Sequence, residues 1–373
     1  MGNTCNELLE YCLRGEPWPD SLLDQALAID DGRAFLSIVV ERLGDLFEPQ
    51  LCETYDRLFT QAIRRIAPEL ASRLRNPNAR PAAPDSASRV YVLSRVTLGA
   101  DVAVTSVLLD AAKRRYSSAE IVFVGPVKSY ELFESDSRIK HLPAPYARSG
   151  TLRDRLQASA SLWLEDGIVI DPDSRLSQLG LLSVCDEHNY FHFPSRAYGG
   201  DGDAPLARLA AQWAQQVFAV EGAKPYIAPL ASSDSPADIT VSLGVGENAA
   251  KRLDDAQECQ LLRALAETGA SILVDKGGSV EERERVERAL LSGMRTHDGA
   301  FAPFAAQIAR SKLFVGYDSA GGHVASACGV PLISIAKGFV SERMAARWRP
   351  NGVVLSESEV AQMPDLARKL LDI

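Results

Sequence analysis

Four short stretches concentrate residue types that can handle an anion or a proton. The sharpest is FVGYDSAGGHVASACGVPLISI (314–335), an apolar run that breaks at Asp318, passes Ser319, Gly321, Gly322 and His323, and then turns small and apolar. An Asp at the end of a parallel strand falls where open α/β sheets hold their ligands. Ser319 is placed to cap the following helix. Glycines let an anion approach backbone N–H groups, which the helix dipole makes attractive to negative charge. His323 would add a donor. The same residues would also serve a plain strand-to-helix turn whose glycines only permit packing.

In VSLGVGENAAKRL (241–253), Gly244 and Gly246 follow an apolar run and Lys251 stands near the next helix, a glycine turn plus a cation that suits phosphate. This also fits G-x-G-x-x-A, a degenerate dinucleotide fingerprint, but Asp275 comes late for a ribose carboxylate. In SRVTLGADVAVTSVLL (94–109), Gly99 makes a turn and Asp101 opens a helix. A carboxylate there can act as a general base, and taken alone it reads as a helix cap. In VIDPDSRLSQLGLL (169–182), Arg175 can grip a ligand carboxylate or phosphate, or pair with Asp171 or Asp173.

The elements that would position these residues alternate. From Arg89 onward, short apolar runs (RVYVLSRV, AEIVFVGP, DGIVID, ITVSL, SILVD, KLFVGYD, VPLISIA) trade with helical patterns such as PLARLAAQWAQQVFAV, the pattern of parallel sheets flanked by helices. Before them, LCETYDRLFTQAIRRIAPELASRLR (51–75) puts Leu51, Tyr55, Leu58, Phe59, Ile63 and Ile66 on one helical face. NPNARPAAPDSAS and EGAKPYIAPLASSDSPAD interrupt the periodicity. The expected division is a helical appendage with linker over 1–87, one α/β domain over 88–220, a hinge over 221–237, and a second α/β domain over 238–373. No catalytic constellation is visible in the appendage.

Taken in order, the four stretches resemble glycosyltransferase family 9, the heptosyltransferase-like enzymes. LGADVAVTSVLLDAAKRRY resembles that family's opening G-D-V turn and helix, VIDPDSRLSQLGLL its D-x-x-x-R-S element, and VSLGVGENAAKRL its glycine turn with a K-R pair. GGSVEERERVERAL resembles its G-G-x-x-E element, and the 314–335 stretch its D-S-G-x-x-H-x-A-A-A-x-G-x-P signature. The resemblance runs over about 88–373; the first 85 or so residues have no counterpart in it. It implies a GT-B architecture, two Rossmann-like domains facing a cleft. The C-terminal domain would take a nucleotide-diphosphate sugar, with Lys251 and Asp318 to His323 on the phosphates and Glu281 on the ribose. The N-terminal domain would take the acceptor, with Asp101 as the base of an inverting, metal-independent transfer and Arg175 touching the acceptor. The chain departs from the pattern at Ala100, inserted between Gly99 and Asp101, at Val107 in place of a proline, and at KGFVSER (337–343).

Bulk composition agrees with such a protein. The 373 residues are 46% hydrophobic and 24% charged, which suits two or three domains with a substantial core. A net charge of −9 argues against nucleic acid as a main partner. No apolar run reaches the roughly 20 residues of a membrane span, and no signal peptide is evident, although a local basic patch would still permit peripheral membrane contact. Six scattered cysteines form no C-x-x-C pair, so no metal cofactor is indicated and a reduced, cytoplasmic setting is expected. The acceptor would be a glycan, glycolipid or protein. Two other readings remain open: a catalytically silent binder of nucleotide sugars, and a dinucleotide oxidoreductase.

Overall fold

The computed structural model describes residues 2–76, 79–231, 233–245 and 249–372. Two parallel sheets carry the chain. The first holds β1 (Arg89–Leu93), β2 (Glu120–Gly125), β3 (Ile139–Pro143), β4 (Ile168–Asp171) and β5 (Tyr190–His192) in the order β3-β2-β1-β4-β5. The second holds β6 (Ile239–Ser242), β7 (Ile272–Asp275), β8 (Arg295–His297), β9 (Leu313–Tyr317), β10 (Leu332–Ala336) and β11 (Val353–Ser356) in the order β11-β10-β9-β6-β7-β8. Every pairing is parallel. Residues such as Val90, Val92, Ile170, Val241 and Val315 are fully buried, because helices cover both sheet faces.

Both sheets reverse their strand order once, between β1 and β4 and between β6 and β9. Ligands of open α/β sheets settle outside the carboxyl ends of the strands at such a switch point. The residues that follow these four strands are 94–101, 172–178, 243–253 and 318–323, the four stretches singled out by their chemistry. This α/β architecture is that of GT-B proteins.

Residues 2–73 are mostly helical, as their periodicity predicts. Helix Pro49–Ile66 stops before Pro68, and a short 3-10 stretch, Pro68–Arg73, follows. This segment has its own core of Leu23, Phe35, Val39, Leu43, Leu58, Phe59 and Ile63, closed by Leu152, Leu156, Leu179 and Leu182 of the first α/β unit. The edge strands β3, β5, β8 and β11 lie outside the predicted set. The stretch after β4 is a 3-10 turn, Arg175–Ser177, and not the expected helix.

The described residues of the connection 221–237 have no regular structure. Ala228 exchanges backbone bonds with Leu132 and Ser135 of the first unit, while Asp234 and Ser235 accept from Arg310 and Arg295 of the second.

Candidate active site

The two switch points face one another across a cavity of about 300 Å³. Arg95, Thr97, Gly99, Ala100, Arg148, Asp173, Arg175 and Arg196 line it from the first unit, and Lys251, Asp318, Ser319, Ala320, His323 and Trp348 from the second. Glu41, Gly44, Asp45 and Phe47 of the N-terminal helical segment complete the wall. The units touch at the cavity's edge. A Cβ on Gly99 would stand 3.1 Å from His323 Cδ2 and 3.4 Å from Ala320 Cα, so only glycine fits without a shift.

On the β9 side, Lys251 Nζ donates to Asp318 Oδ2 at 2.6 Å and lies 5.2 Å from the centre of the Phe339 ring. Helix Ala320–Cys328 begins beside them. Ser319 occupies its N-cap position with extended backbone but makes no cap bond, and its buried Oγ has no partner among the described residues. The expected side-chain cap is therefore absent, and the helix N-terminus keeps its donors for something else. His323 is buried, which lowers its pKa, and meets Trp348 edge to face at 5.8 Å.

Gly321 and Gly322 do not line this cavity. A Cβ on Gly321 would stand 2.5 Å from Phe314 Cζ, and one on Gly322 would approach Leu332 at 3.9 Å. Gly321 lets the helix lie tightly on β9, the packing role. Gly244 faces Glu282 Oε1 and Ser242 Oγ rather than the cavity. Gly246 lies outside the described residues. Glu281 is exposed on helix Val280–Ala289. Its neighbour Glu282 turns back, accepts from the Gly278 amide at 3.0 Å and leaves Oε1 buried without a partner. The residue facing the glycine turn is thus one position later than the motif implies.

On the β1 side, Asp101 is fully buried and absent from the cavity wall. It accepts from Ser94 Oγ and the Arg95 amide at 2.7 Å each, and from Thr105 Oγ1 at 2.8 Å. Burial pushes its pKa up against these bonds. The helix from Leu98 to Arg115 is π-wound over Asp101–Thr105, the form a one-residue insertion takes inside a helix. With Ala100 inserted, Asp101 points inward and ties down the turn 94–97. A base must reach the hydroxyl it deprotonates; Asp101, sealed and fully bonded, is a positioning residue here. Its turn holds Val96 at φ 60°, a left-handed conformation rare for a β-branched residue. It also sends Arg95 to Pro172 O at 2.5 Å, Ser195 Oγ at 2.6 Å and the Trp348 ring.

Arg175 does line the cavity and has no hydrogen bond or ion pair among the described residues. Burial works against its charge, but Tyr146, Glu41, Asp45 and Tyr55 outweigh that and raise its pKa. The Asp–Arg pair that the sequence allows forms elsewhere: Asp173 takes Arg196 Nε at 3.0 Å and Ser195 Oγ at 2.9 Å. Burial opposes the ionised Asp173, yet Arg196, His192 and Arg95 hold its pKa far below the usual carboxylate range. Asp171, also fully buried, accepts from the Ser174 amide at 2.6 Å and from Ser177 and Tyr190. The cavity residues that sequence reasoning passed over include Arg95, Arg148, Arg196 and Trp348, and the four from the N-terminal segment. Arg95 alone carried a signal, as a cation at the end of a strand.

No family model matches the chain, and no curated protein matches its sequence. Solved structures do match its fold. A glycosyltransferase family 9 protein from Veillonella parvula superposes with a TM-score of 0.57 at 15% identity, covering 78% of this chain and 99% of its own. E. coli heptosyltransferase WaaC, solved with ADP-2-deoxy-2-fluoro heptose, gives 0.56 at 14% identity, covering 76% and 99%. E. coli ADP-heptose LPS heptosyltransferase II gives 0.55 at 16%, covering 76% and 98%. The chain thus has the GT-B fold of family 9 glycosyltransferases, as its motifs predict. Among the described residues, no helix is long and apolar enough to cross a membrane.

Proposed function

We propose that the chain is a glycosyltransferase that moves a sugar from a nucleotide-diphosphate donor to an acceptor hydroxyl, with inversion at the anomeric carbon. One observation carries the reading. The β9 side of the cavity presents a helix N-terminus without its side-chain cap, and Lys251 lies beside it. A diphosphate develops negative charge as it leaves, and preorganised donors at such a corner stabilise that charge. Lys251 would give phosphate a further N–H while keeping its bond to Asp318, and the chemistry needs no metal where a cation and a helix dipole already meet the leaving group. Glu282 Oε1 and Ser319 Oγ, both buried without partners among the described residues, could take donors that a nucleotide's hydroxyls would supply.

Arg175 lines the first-unit side of the cavity, and its guanidinium has no hydrogen-bond or ion-pair partner among the described residues. An acceptor carrying a carboxylate or phosphate satisfies it. Heptose is a natural donor sugar to try, since the E. coli structures of like fold are heptosyltransferases.

Thermal denaturation with ADP, UDP, GDP and CDP tests the reading. A nucleotide at 100 times its Kd adds about 2.7 kcal/mol of stability. Stabilisation by one diphosphate, lost in Lys251→Ala, supports the site; no stabilisation by any of the four removes it. The burial of Asp101 favours a second reading, a silent binder, for which the nucleotide binds and no donor turns over.

A further inference from the structure

A transfer of this kind needs a base that reaches the acceptor hydroxyl, and Asp101 is sealed away from the cavity. Four other carboxylates line the cavity: Glu41, Asp45, Asp173 and Asp318. Three are already engaged. Glu41 accepts from Arg155 at 3.1 Å, Asp173 from Arg196 at 3.0 Å, and Asp318 from Lys251 at 2.6 Å. Asp45 has no hydrogen bond or ion pair among the described residues.

We infer that Asp45, supplied by the N-terminal helical segment, is the general base of the transfer, so that this segment is part of the active site. The inference rests on the sugar-transfer reading. Asp45 closes helix Glu41–Asp45, where the helix dipole disfavours a negative charge and so favours taking up a proton. Burial pushes its carboxyl above the ordinary Asp value; Arg175 pulls against this, Glu41 reinforces it, and Arg148 and Arg95 pull against it further. A raised carboxyl is a better proton acceptor near neutral pH than an exposed Asp.

The segment is held against the cavity by contacts to both units. Arg196 lies 4.5 Å from the centre of the Tyr55 ring, and Phe47 meets Trp348 edge to face at 6.3 Å. The segment that carries Asp45 thus contacts a residue of each α/β unit. In the step, the Asp45 carboxylate takes the acceptor proton as the acceptor oxygen bonds to the anomeric carbon. The bond from that carbon to the diphosphate oxygen breaks, and its electron pair leaves on the nucleotide diphosphate. Asp45 then returns the proton to solvent, and no redox partner is involved.

The test uses the full chain with ADP-heptose, UDP-glucose and GDP-mannose as donors, and water or azide as the acceptor. Azide attacks the anomeric carbon without losing a proton, so it needs no base. Asp45→Asn is expected to slow nucleotide release to water by on the order of 10²-fold or more. It should keep the wild-type Kd for the nucleotide diphosphate, release nucleotide with azide and yield the glycosyl azide. The rise of rate with pH that tracks Asp45 ionisation should vanish in the same variant, and Asp45→Glu should recover part of the activity. Wild-type hydrolysis by Asp45→Asn, or a loss that azide leaves unchanged, overturns the assignment alone. No nucleotide release by the wild type from any donor, with water or azide, overturns the sugar-transfer reading beneath it.

Discussion

The ends of β1 and β9 carry almost the same grammar: an apolar strand, a short turn with glycine, an aspartate, and a helix. Their outcomes differ. Asp318 comes before its helix, lines the cavity and shares its charge with Lys251. Asp101 lies within its helix, one residue further along than the family pattern sets it, and is wholly enclosed by Ser94, Thr105 and the Arg95 amide. A single inserted residue, absorbed as a π-turn, separates a carboxylate that can meet a ligand from one that shapes a loop. Position along the helix, more than residue type, decides which role an aspartate takes.

The comparison can be broken at several points. The largest stability effect is expected at Asp101. Hydrogen bonds to a charged group contribute about 1.5–3 kcal/mol each, so Asp101→Ala, which abandons three donors, should cost several kcal/mol in chemical denaturation. A stable Asp101→Ala variant would contradict the structural role. At the other strand end, Lys251→Ala should weaken nucleotide-diphosphate binding by tenfold or more, roughly 1.4 kcal/mol per decade, read by calorimetry. It also leaves Asp318 unpaired, so a fall in melting temperature should accompany it.

Gly321 and Gly322 sharpen the contrast between packing and binding. Gly321→Ala drives a methyl into Phe314 and should cost about 1–3 kcal/mol. Gly322→Ala meets nothing closer than 3.9 Å and replaces a helical glycine, so it should gain about 0.5–1 kcal/mol. Equal effects at the two positions would remove the distinction.

The smallest effect near neutral pH concerns Asp173. Its folded pKa is depressed, so the stability it contributes is fully present above its unfolded value of about 3.9 and is lost as pH falls through the lower folded value. Between pH 5 and 8 its contribution should be flat, and acid unfolding of the wild type should steepen below about pH 4. A melting curve whose pH dependence is the same in Asp173→Asn would show that the Arg196 pair is not responsible.

Much of this molecule is legible in its residues. Strands buried on both faces, such as RVYVL and LFVGY, read as unbroken apolar runs, and their alternation with helices defines the two sheets. The edge strands β3, β5, β8 and β11 are short and mix polar with apolar residues, so IKHLP, YFH, RTH and VVLS carry no such signal. Lys251, Asp318, His323 and Arg175 could be placed at the cavity because each follows a strand that ends there. Gly321 could not be told from a phosphate-binding glycine, because the ring it makes room for, Phe314, is visible only once the helix lies on β9. Asp45 offered nothing to read. It belongs to a helix whose periodicity is ordinary, and its proximity to Arg175 comes from the way two units pack rather than from any local spacing.

One contact shapes how such a molecule must breathe. Phe47 stands against Trp348, while Arg347 of the same helix, Glu342–Trp348, reaches Gly200 O at 2.8 Å and Ala204 O at 3.2 Å. Parting the two Rossmann-like units along this side separates an aromatic pair worth about 0.5–1.5 kcal/mol beyond its burial, and strips a guanidinium of its carbonyls. The helical segment therefore works as a doorstop wedged from a third direction. Parting the units along this side would have to separate Phe47, far upstream in the chain, from Trp348 of the second unit.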